Sequence, residues 1–218
     1  MCKRYSLTAT KEAIENQFDL SIEHSIKSSY NIAPSQSAYI ITNEKRNQLQ
    51  YITWGLVPHW SKDGANNGKL INARREGIAA STSFRIPIRR RRCLILADSY
   101  YEWKREGVTE YPYRIYQEEV SIMAFAGIWD SWDNGEHSIQ SFSIITIPAP
   151  ETISHVSDRC PLILEDKKIQ QKWLDDIDLN KTLKIMGNNP SHLKCYPISK
   201  KVNSIKFNSI ELHEEIAS

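Results

Sequence analysis

Short blocks of apolar residues, many of them alternating with polar ones, recur along most of the chain. Blocks rich in β-branched and aromatic side chains that end in turn residues are typical of β-strands. Between the last two blocks, Asp133-Asn134-Gly135 predicts a hairpin turn, because asparagine and glycine accept the backbone conformation that such turns need. The blocks predict strands over 37–42, 48–54, 93–97, 112–117, 121–129 and 137–147.

Helical periodicity is confined to short segments. Thr8 or Thr10 can cap a helix over 11–18, in which Ile14 and Phe18 share one face. Two more helices are predicted over 165–176 and 179–187, and a short strand, a loop and an apolar segment over 195–212.

The length of 218 residues and the excess of strands over helices indicate one α+β domain, 1–218, with a largely antiparallel or mixed β core. Hydrophobic residues make up 40% and charged residues 25%, as in ordinary globular proteins. We find no apolar run of about 18 residues and no signal-peptide pattern, so we expect no membrane partner and a reducing, cytoplasmic location.

The four cysteines are scattered as Cys2, Cys93, Cys160 and Cys195, without a CxxC pair or a histidine at ligand spacing. We therefore expect neither a disulfide framework nor a metal site, and no cofactor. Cys93 and Cys160 open apolar runs and are interpreted as buried small hydrophobes.

A net charge of +2 says little about partners, but the charge is uneven along the chain. Arg85 and Arg89–Arg92 lie within eight residues of one another. This run is either a solvated edge or a stripe that faces phosphates.

Cys2 follows the initiator methionine and is small enough to leave Met1 removable. Loss of Met1 would give Cys2 a free α-amine and a thiol on adjacent carbons. Such a 1,2-aminothiol condenses with an aldehyde to an imine, which the thiol closes into a five-membered thiazolidine. The α-amine titrates near ~8 and the thiol near ~8.5, so both reactive forms exist at neutral pH.

Four polar clusters lie at the ends of predicted strands, where a rigid scaffold presents side chains to a cleft. Each alone is a weak signal, but together with Cys2 they form a specific pattern. The clusters are YNIAPSQ (30–36), WGLVPHW with INARREG (54–60 and 71–77), ADSYYEWK (97–104) and HVSDRCP (155–161).

This pattern, from MCKRY to DRCPLIL, resembles the SOS response-associated peptidase family of abasic-site-processing proteins. The resemblance implies a β-barrel-like core, binding of single-stranded DNA, and a covalent link between mature Cys2 and the ring-opened sugar of an abasic site. Cys2, Asn72 and Glu102 match the catalytic positions of the family.

The residue chemistry agrees with this implication. Glu102 stands between Tyr101 and Trp103, which would desolvate its carboxyl group, raise its pKa and suit it to acid–base catalysis of sugar ring opening. The amide of Asn72 can hold the amine or a sugar oxygen.

One family feature is displaced in this chain. A family histidine tied to ring opening and crosslink reversal aligns without gaps with Ser157, whereas His155 lies two residues earlier. Either a change of register brings His155 into the site, or the site lacks its histidine.

The resemblance also implies the DNA contacts. Arg4, Arg74 and Arg159 match phosphate-contact positions, Pro34 and Trp60 match surfaces on which bases stack, and Trp103 lines the site. Core packing is the alternative for Trp60 and Trp103.

We expect the protein to be a monomer. Two other functions are alternatives to abasic-site crosslinking. The chain is alternatively a cysteine peptidase that cleaves other proteins, or a single-strand-binding module without catalysis. Cys2 beside Arg4, together with Asn72 and Glu102, argues against the binding module.

Overall fold

Twelve β-strands and five α-helices make up the computed structural model, which describes residues 1–65, 70–187, 190 and 192–216. The strands are β1 (Arg4–Leu7), β2 (Ser29–Ile32), β3 (Ser37–Thr42), β4 (Gln50–Trp54), β5 (Asn72–Arg74), β6 (Arg92–Ala97), β7 (Ser99–Glu106), β8 (Thr109–Gln117), β9 (Met123–Asp133), β10 (Ser138–Pro148), β11 (Arg159–Pro161) and β12 (Leu193–Pro197). The helices are α1 (Lys11–Phe18), α2 (Pro87–Arg90), α3 (Glu151–Ser154), α4 (Lys167–Leu174) and α5 (Leu179–Ile185), with short 3₁₀ helices at Arg75–Gly77, Lys200–Asn203 and Ile210–His213.

Five of the strands close into a barrel. β10 pairs with β4 on one side and with β9 on the other, and β3 and β6 complete the ring between them. β10 and β4 run parallel, whereas the other pairs of the ring are antiparallel. β6 is buried along its whole length, including Cys93, and Cys160 of β11 is also buried. The predicted α+β class with a barrel-like core is therefore confirmed.

A second sheet, in the order β12-β8-β7-β1-β2, brings the N-terminus to Glu102. β1 pairs antiparallel with β7, and Arg4 lies opposite Tyr101. Because the two strands run in opposite directions, the residues that precede Arg4 run alongside Glu102. β5 belongs to the other sheet, where it pairs with β10 and sets Asn72 opposite Ile144.

The predicted elements are largely present. The helix over 11–18 has the predicted bounds, and Thr10 caps it by accepting a hydrogen bond from the Ala13 backbone N–H. All six predicted strands form, with ends shifted by at most four residues, and Gly135 in the predicted hairpin turn has a φ of 89°. Among the described residues, no helix is both long and apolar enough to cross a membrane.

The placement of the third polar cluster was wrong. Tyr101, Glu102 and Trp103 were expected beyond the end of a strand, but they lie inside β7. Tyr101 packs into a small second core while Glu102 is buried beside the N-terminus, so both faces of β7 are covered here. A polar residue in this position broke the apolar pattern that marks a strand.

Two arginines of the run, Arg91 and Arg92, belong neither to a solvated edge nor to a phosphate stripe, because both are engaged within the protein. The Arg92 residue is 1% exposed, and its guanidinium donates hydrogen bonds to backbone carbonyls at the ends of α2 and α4. Arg91 forms an ion pair with the buried Asp130. Arg85, Arg89 and Arg90 remain exposed.

Replacing Arg92 by methionine is expected to lower the free energy of unfolding by about 3–5 kcal/mol, because several buried carbonyls lose charged donors together. Chemical denaturation measures the change. The exposed Arg90 provides the matched control, and Arg90→Met should change stability by less than about 0.5 kcal/mol. Equal effects at the two positions would contradict the structural role of Arg92.

The segment 198–213, here named the C-terminal strap, covers the outer face of the second sheet. Ile198, Val202 and Leu212 of the strap form a small core with Tyr101 of β7. The predicted final apolar segment is therefore a 3₁₀ helix whose Leu212 is buried.

His213 ends the strap inside a polar network. Its Nε2 lies 3.1 Å from Oγ of Ser6 and 4.0 Å from the Asp98 carboxylate, and its ring meets Tyr30 edge-on. Burial, with a further contribution from Arg114, lowers the pKa of His213 from 6.5 to about 4, although Asp98 acts in the opposite direction.

This shift predicts acid sensitivity with a defined sign. Below pH about 6.5 the unfolded chain takes up a proton at His213 that the folded chain does not accept until pH about 4, so stability falls across that window. Thermal unfolding between pH 5 and 7 should show a weaker slope in His213→Gln than in the exposed control His24→Gln. Parallel slopes in the two variants would refute the assignment.

Candidate active site

A cleft of about 380 Å³ opens where the N-terminus, β7 and the segment after α3 meet. Its position follows from the pairing of β1 with β7, which carries the chain terminus to the middle of the second sheet. The lining residues are Met1, Lys3, Glu102, Trp103, Arg105, Glu110, Ser154, His155, Val156, Ser157 and Asp158.

Glu102 is the buried acid of this cleft. Its side chain is 4% exposed, and its Oε2 accepts a hydrogen bond from the Met1 ammonium group at 3.2 Å. Burial raises the pKa of Glu102, although the Met1 ammonium, Lys3 and Ser157 act in the opposite direction. A carboxyl group held in this way can give or take a proton nearer neutral pH than an exposed one.

Cys2 lies next to this acid and is fully buried. Asn72 holds it from the barrel side, because Nδ2 donates a hydrogen bond to the Cys2 carbonyl at 2.8 Å. Oδ1 of Asn72 is buried and has no hydrogen-bond partner among the described residues, so it can accept one from a neighbouring amine. Burial and the nearby Glu102 raise the pKa of the Cys2 thiol well above its usual range.

His155 and Ser157 both line the cleft, but in different surroundings. His155 is exposed beyond α3, where its Nε2 lies 3.6 Å from Sγ of Cys195 and its ring stands edge-on to Tyr113. Ser157 is partly buried and close enough to Glu102 to affect the pKa of that group. The structure therefore places Ser157, rather than His155, beside the acid.

Metal ligands were not expected from the sequence. Within the described part of the chain, we find no group of three or more His, Cys, Asp or Glu side chains arranged to hold a metal ion.

Comparison with known proteins identifies the family. The model of the SOS response associated peptidase (SRAP) family matches residues 1–205. The chain belongs to the SRAP family. The abasic site processing protein YoqW of Bacillus subtilis (strain 168) is 37% identical to it over 224 residues, which cover 98% of this chain and 99% of YoqW. The abasic site processing protein YoaM of the same bacterium is 36% identical, with 97% of each chain covered.

Solved structures share the fold. A crystal structure of a protein from Bacteroides thetaiotaomicron superimposes on the SRAP chain with a TM-score of 0.81. The two are 27% identical, and the superposition covers 92% of this chain and 93% of the other. The resemblance drawn from the sequence motifs is confirmed.

The residues expected to contact DNA lie in contrasting environments in this SRAP protein. Trp60 is 54% exposed, which excludes core packing for its side chain. Trp103 is half-buried, with Nζ of Lys3 5.3 Å from its ring centre. Pro34 is partly exposed and Arg74 exposed. These surfaces are accessible to bases and phosphates, and their contacts with DNA stay predictions.

Arg4 is the first residue of β1 and follows Lys3, which lines the cleft. Its Nη1 donates to the Lys3 carbonyl at 2.9 Å, and its buried Nε has no hydrogen-bond partner among the described residues. Partial burial lowers the pKa of the guanidinium, which nevertheless keeps its charge at neutral pH. A phosphate contact by the Arg4 guanidinium stays a prediction.

Arg159 is engaged within the protein. Its guanidinium donates two hydrogen bonds, of 2.8 and 3.0 Å, to the Glu76 carboxylate and a third, of 2.6 Å, to the Thr146 carbonyl. The sequence does not reveal this pairing, although Glu76 lies in the INARREG motif. A phosphate contact by Arg159 stays a prediction, and it would have to share the guanidinium with Glu76.

Proposed function

We propose that this SRAP protein processes abasic sites in single-stranded DNA by forming a thiazolidine crosslink through Cys2 after Met1 is removed. The observation that carries the proposal is the N-terminal ammonium group held on the buried Glu102 at 3.2 Å, with Asn72 on the adjacent Cys2 carbonyl. Removal of Met1 by hydrolysis, either by the chain itself or by an aminopeptidase, moves the free amine onto Cys2. The new amine then lies on the floor of the cleft that Met1 now lines.

The reaction balances with the groups at hand. Glu102 transfers a proton between the ring oxygen and the hydroxyl of the closed sugar, which releases the aldehyde. The Cys2 amine adds to the aldehyde carbon, and Glu102 protonates the departing hydroxyl, so that one water leaves and an imine forms. The thiol then adds to the imine carbon, and its proton passes to the nitrogen.

DNA binding in this proposal uses the exposed surfaces around the cleft. Arg4 and Arg74 contact phosphates, and Trp60, Pro34 and Trp103 support the bases that flank the lesion. Accommodating a flipped or missing base costs the least free energy in a single strand, because no base pairing has to be broken. Every protein group in this proposal comes from one chain, so a monomer suffices. The proposal uses no cofactor and places the protein in the cytoplasm.

The intact mass of the purified protein tests the proposal. The protein is weighed before and after incubation with a single-stranded oligonucleotide that contains one abasic site. We expect loss of Met1 and a species equal to the mature protein plus the oligonucleotide minus one water. A processed protein that forms no such species would overturn the proposal, and an oligonucleotide with an intact base serves as the control.

The same geometry gives less support to a peptidase that cleaves other proteins. A cysteine peptidase needs its thiolate, whereas the raised pKa of the Cys2 thiol favours the neutral form. The first bond in the proposed reaction is made by the amine instead. The thiol is required only after the imine has formed.

Histidine at position 157 is expected to speed release of the crosslink. Ser157 lies beside Glu102, and an imidazole there would add a group that titrates near neutral pH. Ser157→His should accelerate transfer of the protein from a crosslinked oligonucleotide to an excess of a competing abasic one by about tenfold. His155→Ala should leave this rate unchanged. The opposite pattern would assign the missing histidine role to His155.

A further inference from the structure

The C-terminal strap contacts all three elements of the second sheet that lead into the cleft. These elements are β1, which follows Cys2, β2, which leads to Pro34, and β7, which carries Glu102 and Trp103. Side chains make several of these contacts.

The contact with β7 reaches the cleft directly. Oδ1 of Asn203 accepts a hydrogen bond of 2.9 Å from the indole Nε1 of Trp103. Lys3 contacts the same indole, because its Nζ lies over the face of the ring. An indole has one hydrogen-bond donor, so this single bond sets the direction of that edge of the ring.

The contact with β2 centres on the buried side chain of Asn31. Nδ2 of Asn31 donates to the strap carbonyls of Val202, Ser204 and Phe207 at 3.2, 3.0 and 2.9 Å. Asn208 of the strap accepts a hydrogen bond of 2.6 Å from the backbone N–H of Tyr30. These bonds tie the strap to the residues that immediately precede Ala33 and Pro34.

The strap contacts β1 through His213. Nε2 of His213 lies 3.1 Å from Oγ of Ser6, and Tyr196 of β12 donates a bond of 2.7 Å to the His213 carbonyl. Ser6 is four residues from Cys2 on a continuous stretch of chain. The strap therefore has one fixed position relative to the reactive residue.

We propose that the C-terminal strap positions the wall of the abasic-site cleft, with Asn203 as the positioning residue that orients Trp103. The inference rests on the proposed function, because Trp103 is assigned there to a base or sugar beside the lesion. It goes further by assigning a role in DNA engagement to residues on the far side of β7. Asn203 does not touch the reacting atoms and acts through the indole alone.

A double-mutant cycle tests the assignment. Asn203→Leu removes the acceptor, and Trp103→Phe removes the donor while it keeps an aromatic ring. Each single variant should raise the concentration of abasic oligonucleotide that gives half-maximal crosslinking rate by about three- to tenfold, the value of one hydrogen bond. The double variant should show no further loss, because both changes remove the same bond. Asn180→Ala on the exposed face of α5 is the matched control.

Two further readouts separate a positioning role from a general loss of stability. The melting temperatures of the variants should match that of the wild type, because the bond lies at the surface. Thiazolidine formation with formaldehyde, which does not depend on the cleft wall, should also be unchanged in Asn203→Leu.

The outcomes separate this inference from the proposed function. Additive losses in the double variant, or wild-type crosslinking by Asn203→Leu, would overturn the positioning role while the function stands. Failure of the wild type to crosslink abasic DNA would overturn the function itself, whatever the variants do.

Discussion

Cys2→Ala is expected to lose the stable crosslink with abasic single-stranded DNA, by more than about a hundredfold, while it still binds the strand. Alanine at position 2 also permits removal of Met1, so the variant keeps a free amine but has no thiol to close the ring. The amine alone gives an imine, which water reverses. Denaturing gel electrophoresis after incubation with an abasic oligonucleotide measures the stable product.

Two controls make this result specific. Cys195→Ser changes another thiol near the cleft, which is only partly buried, and should leave crosslinking unchanged. Addition of cyanoborohydride should trap the imine of Cys2→Ala as a stable amine link. If Cys2→Ala forms an undiminished crosslink without the reductant, the thiazolidine mechanism is wrong. If the wild type binds the strand but forms no crosslink, and Cys2→Ala binds equally well, the results favour the binding module.

Glu102→Gln is expected to slow crosslinking by about a hundredfold or more, because the glutamine keeps the shape and cannot transfer a proton. Crosslinking rates under single-turnover conditions measure the effect. Glu110 lines the same cleft but is exposed and paired with Arg105, so Glu110→Gln is the matched control and should react at the wild-type rate. Equal rates for Glu102→Gln and the wild type would remove Glu102 from the mechanism.

The pKa of Glu102 gives the same variant a second signature. Because burial raises that pKa in the folded protein, the fold favours the neutral carboxyl, and this contribution is lost as pH rises through the folded value. Ionisation of Glu102 therefore costs stability as pH rises, and Glu102→Gln should melt no lower than the wild type at neutral pH. Glu102 can act as an acid only while it is protonated, so the wild-type rate should fall as pH rises through the pKa of Glu102, and this fall should be absent in Glu102→Gln. A slower but less stable variant would point to misfolding instead.

Local patterns predicted much of the fold. The barrel strands are rich in β-branched and apolar residues with clear ends, and α1 is marked by its cap at Thr10, so neighbouring residues alone specify them. The strands that carry the site were missed because β1, β5 and β11 are short and β7 contains Glu102 in a buried position. Such strands form through pairing with distant partners, which no local pattern records.

The sequence by itself determined which reactive groups this protein offers. The type and order of Cys2, Asn72 and Glu102 within their motifs pointed to the family and marked Glu102 as the candidate acid, since reactive groups are a property of residue type. Only the tertiary structure decided which of these groups meet and in what state. Antiparallel pairing of β1 with β7 brings the N-terminal amine to Glu102, and burial sets the pKa of both Glu102 and the Cys2 thiol.

The same distinction applies to the burial of individual side chains. Arg92, Arg159 and Trp60 could each be buried or exposed as far as their neighbours in sequence reveal. Burial depends on the layers that pack over a residue, and for Arg92 those layers are α2 and α4, whose ends supply its carbonyl partners. The role of the strap likewise depends on contacts such as Asn203 with Trp103, which are 100 residues apart in the chain and adjacent only in the fold.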